Sequence, residues 1–205
     1  MRLSEIFDAL ASGELSNLNL AEGGVQIKPD KLEVVLRSIN LGLVDLYTRF
    51  LLKTNKLKVP VIDTPIVINT DDFIEVLEVY SELKSLTKYT YSLSSPNVLQ
   101  LKIYDWGNYI NQFAIIEYKA KHRLLTVEDI ALNSEVELPL PYLNALLYFI
   151  GSRLYTSIVN QLDGDLNESV RYAQKYQAEI AMLKEQGIDV DGLDDHHWFT
   201  DRGFR

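Results

Sequence analysis

Residues 29–62 read PDKLEVVLRSINLGLVDLYTRFLLKTNKLKVPVI, and the hydrophobic period changes inside them. Up to Leu52, the residues Leu32, Val35, Leu36, Ile39, Leu43, Leu46, Tyr47 and Phe50 recur at spacings of three and four, the period of one face of an α-helix. Pro29 stands near the first turn, where its missing N–H costs nothing. Gly42 disfavours a helix interior by about 1 kcal/mol relative to alanine, so it predicts close packing against another backbone. From Lys53 the texture turns to β-branched residues, tyrosines and prolines, with strand-like runs at LKVPVI, PIVIN, VLQLKIY and YINQFAIIEYKA. In the last of these, apolar residues fall on both alternating sets for part of the run, which suggests a strand covered on both faces. The run DDFIEVLEVYSELKS suits either element: Phe73, Leu77, Tyr80 and Leu83 keep a helical spacing, while Ile74, Val76 and Tyr80 with Val79 suit a strand.

Helical patterns flank this region. LSEIFDALASGELSNL predicts a short helix with Ser4 as N-cap, a stripe of Leu3, Ile6, Phe7 and Leu10, and Gly13 as the stop. Tyr142 to Val159 predicts a helix apolar nearly all round, which belongs in the centre of a bundle or between subunits. About Glu168 to Gln186, Val170, Ala173, Tyr176, Ile180 and Leu183 share one side of a last helix, and Gly187 supplies a C-terminal stop.

The composition narrows the function classes. The 205 residues suffice for a full core, and no stretch predicts a membrane span or a secretory leader. The absence of cysteine excludes disulfides, iron–sulfur clusters, thiolate zinc sites and cysteine nucleophiles. A formal charge of −9 disfavours gripping a phosphate backbone but does not disfavour a surface that DNA must slide past. There is no Gly-rich phosphate loop, no H-E-x-x-H and no G-x-S-x-G.

The chemistry that stands out lies after Gly187, in a segment ending LDDHHWFTDRGFR. Asp194, Asp195, His196, His197 and Asp201 are chemically able to ligate a divalent metal, which would make the chain a metal-dependent enzyme or a metal-binding protein. Against this, adjacent histidines on an extended chain point to opposite sides. The competing reading is a docking arm, because Trp198, Phe199, Arg202, Phe204 and Arg205 are the residue types that dominate interface hot spots. Asp163 and Asp165 resemble part of a calcium loop but lack its later ligands, so a capped turn is the expectation. Tyr89, Tyr91, Tyr104, Trp106 and Tyr109 suit base stacking or a sheet surface equally, and Lys53, Lys56 and Lys58 read as a solvated edge or a patch for an acidic neighbour.

INLGLVDLYTRFLLK in an early helix, a β-rich middle, then LPLPYLNALLYFIGSRLYTS and YAQKYQAEIAMLKEQGI resemble, in that order, the head-to-tail adaptor (connector, tail tubular protein A-like) proteins of short-tailed bacteriophages. The resemblance spans most of the chain and rests on helix patterns. It implies an α+β fold, mainly a helical bundle from residues 1–52 and 135–187, with a β-rich insertion at 53–134 and an extended C-terminal docking arm at 188–205. Leu143, Leu146, Ile150 and Leu154 would then form bundle core with Ile39, Leu43 and Tyr47. Trp198, Phe199, Arg202, Phe204 and Arg205 would face the portal protein. The tail matches the family in ending with an aromatic, a glycine and an arginine, and the histidine pair has no counterpart. The implied function is structural and non-catalytic, without cofactor or metal. About a dozen copies would form a ring joining the portal to the tail tube or nozzle, at the virion neck after assembly in the host cytoplasm, with DNA passing through unbound. An arm that orders on its partner also predicts a chain that is monomeric alone and ring-forming on the portal.

Overall fold

A computed structural model of the chain describes residues 1–12, 21–22, 26–82, 89–102, 112–159 and 166–187. By contacts the chain divides into two units, Met1–Arg49 with Arg123–Arg205, and Phe50–His122. The expected insertion ended at residue 134, whereas Arg123–Ser134 groups with the helices.

The first unit holds helices α1 (Leu3–Ser12), α2 (Pro29–Arg49), α3 (Val127–Ala131), α4 (Leu143–Val159) and α5 (Leu166–Glu185), with a short antiparallel ribbon of β1 (Ala21–Glu22) and β2 (Gln26–Ile27). Both α2 and α5 pack on α4. Val35, Ile39, Leu43, Leu46 and Tyr47 of α2 are buried, as are Leu146, Ile150 and Leu154 of α4, while Leu143 is half-buried. Gly42 makes the approach of α4 possible. A Cβ there would stand 2.6 Å from Leu146 Cδ1 and 3.1 Å from Phe149 Cδ1, so the close neighbours are side chains and not the expected backbone. Helix α1 begins at Leu3, which displaces Ser4 from the N-cap. The first-turn donors are met by a turn instead: Leu3 N–H donates to the Ser134 carbonyl at 3.1 Å and Ser4 N–H to Asn133 Oδ1 at 3.0 Å. α5 ends on schedule, where Gly187 adopts φ +59.

The second unit is two antiparallel sheets of three strands each among the described residues. One orders β3 (Thr54–Pro60), β8 (Phe113–Ala120) and β5 (Phe73–Ser81) as β3-β8-β5; the other orders β4 (Ile66–Val67), β7 (Val98–Lys102) and β6 (Thr90–Ser95) as β4-β7-β6. Val59, Ile66, Ile68, Val79, Leu99, Leu101 and Ile116 from the two sheets share one core. The ambiguous run from Asp71 is thus a strand over Phe73–Ser81.

The expected mainly helical bundle is not what the chain forms. Among the described residues five helices stand beside two small sheets, a mixed α+β architecture. A bundle requires several long helices sharing a seam, and α1 and α3 have only 10 and 5 residues. Extended backbone closes part of the core instead. Val136 and Leu138 are buried on a segment tied to Met1 through the Val136 N–H at 2.7 Å and to α2 through the Tyr47 hydroxyl, which donates to the Glu137 carbonyl.

Candidate docking surface

Helix α2 has a second apolar set outside its buried stripe. Val34, Leu41 and Val44 are exposed, and Leu41 and Val44 line a groove of about 360 Å³ with Leu124 and Val127. Glu33, Arg37 and Asn40 line the same groove, and Leu124 is 62% exposed.

A hydrogen-bond network fixes the far wall of this groove. Asn40 Nδ2 donates to the Leu125 carbonyl at 2.9 Å, and Leu125 N–H donates to Asn40 Oδ1 at 2.9 Å, so one side-chain amide satisfies both polar groups of a non-helical residue. Leu125 itself is buried, which turns its neighbour Leu124 outward. Four residues after Leu125, Asp129 gathers the loop. Its carboxylate accepts from Arg123 at 2.6 and 2.9 Å, from Thr126 N–H at 2.8 Å and from Ser134 Oγ at 2.7 Å. The Arg123 guanidinium first, then these other donors, hold the Asp129 carboxyl well below the usual carboxylate range. Leu124 and Val127 are therefore presented by an ordered backbone. Exposed apolar side chains on such a frame lose little entropy when covered, which is what a preformed interface needs.

Among the described residues, two further clefts lie in the same unit. A polar one of about 330 Å³ lies among α2, α4 and α5, around Asp45, Arg49, Arg153 and Tyr176. Burial works to raise the Asp45 pKa, but hydrogen bonds from Arg49, at 2.6 Å, and from the Tyr176 hydroxyl outweigh it and hold the carboxyl low. Burial and that same bond push the Tyr176 phenol up. Both Asp45 oxygens are thus engaged, and the cluster ties α2 to α5. The other cleft, about 420 Å³, runs along α1 beside Phe7, Ile27, Leu32 and Ile130.

Few of the sequence-predicted site residues fall where the structure describes them. Trp198, Phe199, Arg202, Phe204 and Arg205 lie outside the described residues, as do Asp163, Asp165, Asp194, Asp195, His196, His197, Asp201, Tyr104, Trp106 and Tyr109. Among the described residues no group of three or more His, Asp or Glu side chains is placed to hold a metal ion, and no helix is long and apolar enough to cross a membrane. Tyr89 is buried in the sheet core, with Tyr91 packed against it. Lys56 and Lys58 meet acids of their own unit, Glu117 at 3.4 Å and Glu82 at 2.5 Å. Sequence reasoning passed over Asn40, Arg123 and Asp129, whose partners only the fold brings close. Leu41 and Val44 carried a signal, being apolar residues left over from the buried stripe. In comparisons with known proteins, no family model and no curated sequence matches this chain.

Proposed function

We propose that the protein is a structural, non-catalytic assembly subunit: a head-to-tail adaptor that forms a ring of copies on a phage portal and joins it to the tail tube or nozzle, around the DNA channel. The observation that carries this reading is the α2 groove, an exposed apolar surface whose walls are fixed by Asn40 and by the Asp129 network. A lone soluble monomer has no use for such a surface; an assembling subunit covers it. The C-terminal residues Trp198, Phe199, Arg202, Phe204 and Arg205 supply the portal-facing contacts by their chemistry, aromatic area with charged tips. The net charge of −9 is consistent with a channel that does not retain DNA.

The test is co-sedimentation with portal rings, using the full chain and a chain shortened from Gly187 onward. Binding of several full chains per portal, lost on truncation while the melting transition persists, is the expected outcome. Undiminished binding by the shortened chain would overturn the arm assignment, and no binding by the full chain would overturn the adaptor reading.

A further inference from the structure

Among the described residues Leu132 is the most exposed large apolar side chain, at 76%, yet the backbone beneath it is held from several sides. Its own N–H donates to the Glu128 carbonyl at 3.0 Å, closing α3. The next residue, Asn133, takes the left-handed conformation at φ 46, tolerated by its short polar side chain, whose oxygen receives the Ser4 N–H. Ser134 then returns to Asp129 through both its N–H, at 3.0 Å, and its hydroxyl. A tight turn anchored in this way presents one leucine as a rigid knob.

The groove and the knob lie toward opposite ends of α3, Val127 lining the one and Leu132 forming the other. Their charges are opposite as well. Leu132 is flanked by Glu128 and Glu135, both exposed, and neither forms an ion pair with a described residue. Arg37 on the groove is exposed and equally without an ion-pair partner among the described residues. Glu33, one turn earlier on the same rim, would repel the acidic flank and so directs it toward Arg37.

We propose that Leu132 of one copy seats in the α2 groove of the next, with Glu128 and Glu135 against Arg37. This rests on the reading above that copies of the chain assemble. Because knob and groove are different surfaces, each contact leaves a free knob at one end and a free groove at the other. Such a head-to-tail contact propagates until the rotation between copies closes it into a ring.

The chain has no cysteine, so introduced thiols report without background. The variants Leu41→Cys, Leu132→Cys and the double variant would be oxidised with diamide, alone and mixed with portal rings, and run on a non-reducing gel. Both substitutions fall on exposed positions, and an unchanged melting transition verifies folding. A ladder of dimers, trimers and higher species from the double variant, in either condition, is expected, with each single variant staying monomeric and a mixture of the two singles stopping at dimer. A double variant that stays monomeric in both conditions, or that closes a disulfide within one chain, would overturn the contact. So would dimers from a single variant, which signal a symmetric contact. Portal co-sedimentation of the unmodified chain separates the two ideas: portal binding without a ladder sinks the contact and spares the adaptor reading, whereas a ladder without portal binding does the reverse.

Discussion

The two sides of α2 are both apolar and have opposite fates. Toward α4, Ile39, Leu43, Leu46 and Tyr47 are essentially inaccessible and Gly42 admits Leu146 and Phe149. On the other side Leu41 and Val44 remain open, although Asn40, next to Leu41 in sequence, organises the wall beside them. One face stabilises the fold, and the other is ordered by the fold without contributing to it. Mutations should therefore separate the two faces cleanly, stability responding on one and assembly on the other.

The largest stability change is expected on the inner face. Leu146→Ala leaves a cavity against Gly42 and should cost about 3 kcal/mol, read as a lower denaturant midpoint. Next comes the carboxylate that orders the groove wall. Asp129→Ala strands Thr126 N–H and Ser134 Oγ and releases Arg123, an expected loss of about 2 kcal/mol by the same measurement. Asp129 also sets a pH dependence. Its pKa is depressed in the folded chain, so its contribution is fully present above the unfolded value of about 4 and fades as pH falls below it. Acid titration of stability should accordingly be shallower in Asp129→Asn than in the unmodified chain.

Asn40→Ala should cost about 1 kcal/mol, since it removes both hydrogen bonds that the Asn40 amide makes to the Leu125 N–H and carbonyl. Hydrogen exchange at Leu125 should accelerate far more than at Leu43 on the inner face. The smallest stability effect belongs to the outer face itself. Leu41→Ser with Val44→Ser should shift stability by only about 0.5 kcal/mol, because both side chains lie on the exposed side of the helix and outside the core. The same pair of changes should abolish assembly.

How much of this was legible before folding follows from the range of each interaction. Helices α2, α4 and α5 were readable because a period of 3.6 repeats over 17 to 21 residues in each, and the texture change after Leu52 marks the β-rich unit. β5 was not readable, for a structural reason. It carries register shifts between Phe73 and Glu75 and between Val76 and Glu78, and each inserted residue breaks the two-residue alternation that would have identified a strand. The bundle was over-read because periodicity reports which face of a helix is buried, and says nothing about whether a helix or an extended segment such as Val136–Leu138 covers it. The groove wall was invisible for the same kind of reason: Asn40 and Leu125 are 85 positions apart, and nothing in an isolated asparagine announces that it will clamp a backbone.

The most direct test of an outward face made for assembly is sedimentation of portal rings mixed with either the unmodified chain or the Leu41→Ser, Val44→Ser variant, after both have been shown to melt alike. The expected result is a multi-copy complex for the unmodified chain and no more than isolated copies for the variant. A variant that loads the portal to the same mass as the unmodified chain would show that α2's open face has no part in assembly.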